Sequence, residues 1–303
     1  MRTQRILLIG CGDIALRVAR LLRGRYVLYG LTRHAEQGSA ARRHGVRPIV
    51  GDLDSRASLR RLHVAPYAVL HFAPPPAEER LATDPRTARL IAELGRGRSL
   101  PQRLIYISTT GVYGNCDGAR IDETRPTRPR TTRARRRADA EALLRRWGAR
   151  RGVVVSVLRA PGIYAANRLP LERIRNHTPA LRSHDDPYTN HIHADDLARA
   201  VVAALGRGSA NRVYNIVDDA DLKMGEWFDA VAQAHDLPRP PRISLERAER
   251  ELAPTLLSFM RESRRIANAR MKRELRLRLR YATPQALLDD IRRAREPQRE
   301  LPL

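Results

Sequence analysis

Short apolar runs alternate with segments of helical periodicity through the first half of the chain. The run Arg5–Ile9 has no polar alternation, which is typical of a strand buried on both faces of a parallel sheet. Apolar side chains then recur at helical spacing from Ala15 to Leu22, and Gly24 ends this predicted helix. Further buried strands are predicted over residues 26–31, 47–50, 68–72 and 103–107. This order predicts an α/β fold, a doubly wound parallel sheet of the Rossmann type with helices on both faces.

A glycine-rich turn, GCGDIA (10–15), connects the first predicted strand to the first predicted helix. It is a GxGxxA pattern in the strand–turn–helix context typical of dinucleotide binding. Gly10 allows the tight turn, Gly12 lets the main chain approach a pyrophosphate, and Ala15 lets the helix pack close to the strand. The helix N-terminus adds unpaired N–H groups and the positive end of the helix dipole. A glycine turn that binds nothing is the alternative. The predicted cofactor contacts of this turn are Gly10, Gly12, Asp13 and Ile14.

The end of the second strand, Thr32-Arg33, bears on the choice between NAD and NADP. An NAD site commonly has an acidic residue here, which holds the ribose hydroxyls. A carboxylate would repel the 2′-phosphate of NADP, whereas the Arg33 guanidinium can bind it and stack beside the adenine. NADP is therefore predicted in preference to NAD. The alternative is that Arg33 is one more surface arginine.

The ends of the later strands also lie where a doubly wound sheet binds its ligands. Asp52 could accept a hydrogen bond from the adenine amino group, although an ordinary turn aspartate is an equal alternative. Three prolines at 74–76 force the fourth strand to end in a rigid loop. The cofactor contacts predicted from these ends are Thr32, Arg33, Asp52, Leu53, Phe72, Ala73 and Pro74.

Seven segments in order resemble the extended short-chain dehydrogenase/reductase superfamily of nucleotide-sugar epimerases and dehydratases. They are GCGDIA (10–15), LTR (31–33), GDL (51–53), LHFA (70–73), YISTTGVYG (106–114), LRAPGIY (158–164) and HIHADDLARA (191–200). The resemblance covers roughly residues 5–220. It implies an NAD(P)-binding oxidoreductase-like protein of the epimerase/dehydratase type, which transfers hydride to or from a small carbonyl or alcohol substrate.

The resemblance also implies a Ser or Thr after strand five and a YxxxK pair on the next helix. Thr109 matches the Ser/Thr position. Registering the helix by Ala140-Glu141 places Arg137 at the lysine position and Arg133 at the tyrosine position. Arginine does not deprotonate near neutral pH, so Arg133 cannot be the general acid or base. The chain therefore departs from the family at its catalytic pair, and a non-catalytic NADP(H)-binding sensor or scaffold is the alternative function.

The remaining candidates lie around the implied nicotinamide. Arg137 could hold the nicotinamide ribose and stabilise a developing oxyanion. A proton would come from water, from the substrate or from another side chain, with Tyr164 preferred over Tyr113 and Tyr188. The predicted catalytic residues are Thr109, Arg137 and Tyr164, and Thr109, Arg137 and Pro161 complete the predicted cofactor contacts.

The domain organisation follows from these segments. Residues 1–160 are predicted to form a dinucleotide-binding Rossmann domain, which residues 190–220 complete. Residues 161–189 and 221–303 are predicted to form a smaller C-terminal substrate lobe.

Charge adds a competing hypothesis. The 303 residues include 57 Lys and Arg against 33 Asp and Glu, a formal net charge of +24. Clustered cations bind nucleic-acid phosphates. These arginines are spread from Arg2 to Arg299, and only 5% of residues are aromatic, too few for an obvious base-stacking platform. We expect solvated arginine faces and no specific nucleic-acid partner, with a nucleic-acid-associated protein as a further alternative.

The predicted partners of the protein are a small-molecule substrate and a second copy of the chain. Arginines in segment 258–265 could bind an anionic small-molecule substrate, or they could pair with Glu246, Glu249 and Glu251. The family resemblance implies a possible homodimer through helix 130–147, although the arginines of that helix repel one another.

Cysteine use and hydropathy bear on the compartment. Cys11 and Cys116 make neither a disulfide framework nor a zinc site, so a reducing cytoplasm is expected. No apolar stretch approaches the ~20 residues of a membrane span, and Arg17 and Arg20 argue against a signal peptide. The pair Asp195-Asp196, followed by LARAVVAAL, is predicted to begin a helix with its acids near the positive dipole end, and no metal is expected at HIHADD (191–196).

Overall fold

The computed structural model describes residues 4–62, 64–77, 82–97 and 99–295. Strands in this part are β1 (Arg5–Ile9), β2 (Val27–Thr32), β3 (Val46–Val50), β4 (Ala68–His71), β5 (Arg103–Thr109), β6 (Arg120–Ile121), β7 (Val154–Ala160), β8 (Gly162–Tyr164), β9 (Ala180–Leu181), β10 (Tyr188–Thr189), β11 (His191–His193), β12 (Arg212–Asn215), β13 (Leu222–Lys223), β14 (Arg242–Ile243) and β15 (Arg265–Ile266). The five strands predicted for the first half are all present, with small shifts at their ends.

Helices connect most of these strands. They are α1 (Asp13–Leu22), α2 (Ala35–Arg43), α3 (Pro85–Leu94), α4 (Thr132–Arg151), α5 (Leu171–Arg175), α6 (Ala194–Arg207), α7 (Met224–Ala234), α8 (Leu245–Glu251), α9 (Pro254–Met260), α10 (Ala269–Glu274) and α11 (Pro284–Arg295). Asp195 and Asp196 lie in the first turn of α6, which confirms that this acidic pair begins a helix, whereas His191–His193 form β11. None of the helices in the described residues is long and apolar enough to cross a membrane.

Seven parallel strands form the central sheet, in the order β12-β7-β5-β4-β1-β2-β3. Strand β1 pairs with β2 on one side and with β4 on the other, so the connections run outward in opposite directions from this point. A crevice opens at the carboxyl ends of the strands at such a switch point, and it is the usual ligand site of an open α/β sheet. The predicted doubly wound Rossmann fold is confirmed.

The central strand shows why the apolar runs lack polar alternation. Ile6 and Leu8 pack in one core with residues of α1 and α6, whereas Leu7 and Ile9 pack in a second core with residues of α3 and α4. Successive side chains of a strand point to opposite faces, so a sheet covered on both sides requires an apolar residue at every position.

The smaller lobe has a core of its own, in which Trp227 and Phe228 pack with Tyr164 and Leu288. Part of the segment predicted for this lobe belongs elsewhere, because Met271 of α10 packs in the core beneath the central sheet. The predicted boundaries include residues outside the described part, namely 1–3, 63, 78–81, 98 and 296–303.

Candidate functional site: a dinucleotide groove joined to a substrate cavity

The turn after β1 is shaped by two glycines with different roles. Gly10 has a φ of +87°, and a Cβ added there would lie 3.2 Å from the main-chain nitrogen of Ala73. Gly12 caps α1 without a side-chain hydrogen bond, and a Cβ added there would meet nothing within 4 Å. Gly10 therefore allows β1 and β4 to approach closely, while Gly12 leaves open space over the first-turn N–H groups of α1. Space and unpaired donors at a helix N-terminus fit a pyrophosphate.

A groove of about 340 Å³ runs over this turn at the carboxyl ends of β1, β2, β3 and β4. Ten of the residues predicted to contact the cofactor line it, although they come from four separate stretches of the chain. These ten are Gly10, Gly12, Asp13, Ile14, Arg33, Asp52, Leu53, Phe72, Ala73 and Pro74.

One end of the groove carries Arg33 and Asp52, the side chains predicted to contact the adenosine part of the cofactor. Arg33 is exposed, and it makes no ion pair within the described residues. Asp52 is held in its turn by the N–H of Asp54, which donates to Asp52 Oδ1 over 2.9 Å. Arg86 Nε donates to Asp54 Oδ1 over 2.9 Å, and this hydrogen bond lowers the pKa of Asp54. The Asp54 charge is thus offset by Arg86, and the Arg33 guanidinium stays available to a ligand.

Thr32 differs from its predicted neighbours, because it does not line the groove. Its side chain is buried, and its Oγ1 lies close to Gly38 of α2. The side chain of the last residue of β2 therefore packs under α2, and only the following residue, Arg33, reaches the groove. Three polar side chains from outside the predicted motifs also line the groove: Gln37, Arg86 and Arg168.

Arg168 shows why the sequence prediction missed part of the groove. It comes from the turn Ala166–Arg168, more than 150 residues after the glycine turn, and its Nη1 lies 3.1 Å from Asp13 Oδ2. Arg17 Nε lies 3.0 Å from the other oxygen of Asp13. Two cations therefore offset the Asp13 carboxylate, which would otherwise repel a pyrophosphate at the same helix end. No local pattern marks Arg168, since only the fold brings it here.

The register predicted for α4 agrees with the contacts of this helix. Glu141 is buried, and it accepts hydrogen bonds from Arg159 Nη2 over 2.6 Å and from Ser108 Oγ over 2.5 Å. Arg137 and Arg133 lie four and eight residues earlier, on the same face of the helix. This face points at the end of β5, so both arginines lie beside the strand that carries Thr109.

Arg137 occupies the position predicted for the lysine. Its Nη1 donates to the main-chain oxygen of Ile107 over 2.8 Å and to the hydroxyl of Tyr106 over 3.1 Å. These bonds hold the guanidinium at the wall of a second cavity of about 250 Å³, which shares Pro74 with the groove. The second cavity is lined by Pro74, Pro75, Pro76, Ala77, Thr109, Arg133, Arg136 and Arg137.

Thr109 lies at the centre of the site, at the carboxyl end of β5. Its Oγ1 accepts a hydrogen bond from the N–H of Gly111 over 3.2 Å. A hydroxyl has one hydrogen to donate besides its lone pairs. Because the Gly111 bond uses a lone pair, the Thr109 hydroxyl can still donate to a substrate oxygen.

A third cavity of about 270 Å³ shares Thr109 and Arg133 with the second and lies between the sheet and the smaller lobe. Pro161 lines this cavity rather than the groove. The Arg133 guanidinium lies over the ring of Phe259, 4.5 Å from its centroid. The other residues of the wall include Thr131, Gly162, Tyr188, Asn190, Met224, Glu262 and Arg264. We call this the substrate cavity.

The three candidate tyrosines lie in different surroundings. Tyr164 is only 2% exposed, packs against Trp227 in the lobe core and lines none of the three cavities. Burial raises the pKa of Tyr164 above its usual range. Tyr113 is also buried, and its hydroxyl donates to Asn215 over 2.8 Å. The structure thus brings Tyr188, not Tyr164, into the cavity that Thr109 lines. A catalytic role for Tyr164 stays a prediction without support from this geometry.

Fold and groove together define a Rossmann protein built for a dinucleotide. Residues 15–217 match the model of the NAD dependent epimerase/dehydratase family, and the chain belongs to this family. The resemblance predicted from the seven segments is confirmed, and the family binds nicotinamide dinucleotides.

Curated relatives and solved structures agree with this assignment. The chain is 25% identical over 131 residues to a dTDP-D-glucose 4,6-dehydratase of Mus musculus, and 28% identical over 138 residues to a dTDP-glucose 4,6-dehydratase of Streptomyces griseus. These matches cover 41% and 43% of this chain, but only 37% and 42% of the two relatives. The chain thus matches about two fifths of their length.

Two solved structures match almost the whole chain. A functionally unknown conserved protein from Silicibacter pomeroyi DSS has a TM-score of 0.78 and 28% identity, covering 97% of this chain and 100% of that one. A dTDP-glucose 4,6-dehydratase from Streptomyces venezuelae, solved with NAD and TYD bound, has a TM-score of 0.76 and 20% identity, covering 96% and 97%. The second likeness is one of fold alone.

Proposed function

We propose that the protein is an NADP-dependent oxidoreductase of the epimerase/dehydratase type that acts on a small carbonyl or alcohol substrate. The observation that carries the proposal is the continuity of the site. The groove and the second cavity share Pro74, and the second cavity shares Thr109 with the substrate cavity. A dinucleotide with its pyrophosphate on the α1 N-terminus would have its nicotinamide end beside Thr109. Bound there, the cofactor supplies or accepts a hydride.

NADP is the cofactor that the groove favours. Arg33 lies at its adenosine end as an exposed cation without an ion pair in the described part of the chain. A guanidinium can bind the 2′-phosphate through two N–H groups at once. The first-turn N–H groups of α1 would bind the pyrophosphate, and Arg137 would hold the nicotinamide ribose.

Side chains of the protein would bind the substrate oxygen, stabilise its charge and supply a proton. Thr109 donates a hydrogen bond to it, and the nearby Arg133 and Arg137 stabilise negative charge that develops on it. Tyr188 lines the substrate cavity and is the tyrosine placed to move a proton, with water as the other source. Neither arginine transfers a proton.

A sensor or scaffold that binds NADP(H) without turnover is the second candidate. The observation that favours it is the pair Arg133 and Arg137, which stand where the family chemistry needs a proton-transferring tyrosine and its lysine.

One experiment separates the two candidates. NADPH and NADH are titrated into the protein by calorimetry, and near-ultraviolet absorbance then follows NADPH consumption against a library of small carbonyl compounds. We expect tighter binding of NADPH than of NADH, and consumption with at least one compound. NADPH binding with no consumption across the library would favour the sensor. Failure to bind either nucleotide would overturn both candidates.

A further inference from the structure

The charges on the wall of the substrate cavity do not balance. Its charged side chains are Arg133, Arg264 and Glu262. Arg264 Nη1 lies 2.8 Å from Glu262 Oε2 and also donates to the main-chain oxygen of Gly114 over 2.8 Å. Arg264 and Glu262 therefore offset each other, and the positive charge of Arg133 is left over.

Arg133 makes no hydrogen bond or ion pair within the described residues. Its guanidinium carbon lies over the ring of Phe259, 4.5 Å from the ring centroid. A cation–π contact of this kind holds the guanidinium in place without a hydrogen-bond acceptor. Five N–H donors in a planar fork are therefore available to a ligand in either of the two cavities that Arg133 lines.

Neighbouring charges act on Arg133 in both directions. Burial lowers the pKa of Arg133. Among the neighbouring charges, Glu262 raises this pKa most, and Arg137 and Arg136 lower it. Arginine nevertheless stays protonated at neutral pH, so the cavity keeps the charge. An oxyanion beside Arg133 would offset the repulsion from Arg137 and Arg136.

The position of Arg133 decides where on the substrate the negative charge lies. Arg133 shares both cavities with Thr109, the residue proposed to contact the reacting oxygen. An anionic group that meets Arg133 is therefore close to the reacting carbon. A planar carboxylate matches the planar fork through two parallel hydrogen bonds.

Resting on the proposed function, we infer that the substrate carries a carboxylate next to its carbonyl or alcohol carbon, as in a small 2-oxo or 2-hydroxy acid, and that Arg133 binds this carboxylate. The cavity of about 270 Å³ suits a small acid of this kind. At the position where the family has a proton-transferring tyrosine, Arg133 thus binds an anionic group of the substrate.

The test is a binding measurement on the NADPH-saturated protein. Lactate and lactamide are titrated by calorimetry, because they have the same shape and differ in charge. We expect lactate to bind and lactamide to bind at least about tenfold more weakly, as loss of a charge-assisted hydrogen-bond pair predicts. Equal binding of the two compounds, or no binding of lactate, would overturn the inference.

Variants identify the residue responsible. Arg133→Gln is expected to weaken lactate binding about tenfold or more, whereas Arg135→Gln leaves it unchanged. Arg135 is a matched control, since it is exposed on the same helix and lines none of the three cavities. Arg133→Met, which keeps an apolar contact for Phe259, replaces the glutamine variant if that one does not fold. Lactate binding that survives the loss of Arg133 contradicts the inference.

Two further readings complete the experiment. Inorganic phosphate is titrated in parallel, and tighter binding of phosphate than of lactate would overturn the carboxylate assignment. The NADPH affinity of each variant is measured first. Normal NADPH binding with lactate binding independent of Arg133 removes only this inference, whereas absence of NADPH binding removes the proposed function itself.

Discussion

The dinucleotide groove and the substrate cavity are adjacent, but the groove is shaped mainly by the main chain and the cavity by side chains. The groove is lined largely by consecutive residues at strand ends, such as 10–15 and 51–53, and its main devices are main-chain ones: a glycine at φ +87° and an uncapped helix N-terminus. The substrate cavity is lined by side chains from α4, the β10 region and the segment around Phe259. The groove keeps the family pattern, while the cavity replaces the family's catalytic tyrosine with Arg133.

The largest effect is expected from a substitution that alters the main chain of the glycine turn. Gly10→Ala places a Cβ 3.2 Å from the nitrogen of Ala73 in a left-handed conformation, so the end of β1 must shift. We expect NADPH affinity to fall about thirtyfold or more, which corresponds to ~2 kcal/mol. Gly24→Ala is the control, because Gly24 has a φ of +80° with nothing within 4 Å of an added Cβ. Both variants should lose about 1–2 kcal/mol of stability, and only Gly10→Ala should lose NADPH binding. Calorimetric titration and thermal unfolding measure the two effects, and equal NADPH affinities of the two variants would contradict the assignment of the turn.

The next prediction concerns a side chain of the groove. Arg33→Ala is expected to weaken NADPH binding about tenfold and to leave NADH binding nearly unchanged, since only NADPH carries the 2′-phosphate. Arg42→Ala removes an exposed arginine of α2 that does not line the groove, and it should change neither affinity. Calorimetric titration of both nucleotides provides the measurement. If wild-type protein binds NADPH and NADH equally, the preference for NADP is wrong.

The smallest expected effect lies where the two lobes meet at the groove. Arg168→Gln removes one of the two cations that offset Asp13, and Arg17 remains. Because the pair with Arg168 is partly exposed to solvent, we expect NADPH and NADH affinity to fall together by only about threefold. Arg175→Gln, at the end of α5 and away from the groove, is the control. A loss confined to NADPH would place Arg168 at the 2′-phosphate instead of the pyrophosphate.

The amount that the sequence could predict differs between the two regions. Ten of the residues predicted to contact the cofactor line one groove, because a GxGxxA turn and the ends of parallel strands specify position through local geometry. Thr32 was predicted together with Arg33 but does not line the groove, because β2 extends to Thr32 and its side chain is buried under α2. Arg86, Gln37 and Arg168 were missed, since nothing in their local sequence points to the groove.

The substrate cavity shows the opposite balance. Tyr164 was preferred as a proton donor from its segment alone. Its ring, however, packs against Trp227 of α7. The competing pairing predicted for the arginines of segment 258–265 is confirmed for one of them, since Arg261 Nη2 lies 2.5 Å from Glu249 Oε1. Arg264 pairs with Glu262, a residue of its own segment.

The amino-acid sequence by itself determined the order of strands and helices, the glycine turn and the absence of the YxxxK pair, because each of these is encoded within a few consecutive residues or a single helix register. The tertiary structure alone decided that Arg168 offsets the charge at the glycine turn, that Tyr188 and not Tyr164 lies in the substrate cavity, and that Arg133 remains there without an ion pair in the described residues. These three outcomes depend on which side chains from distant segments come into contact. The local periodicity of the sequence predicts strands and helices, but it does not predict how the lobes pack against each other.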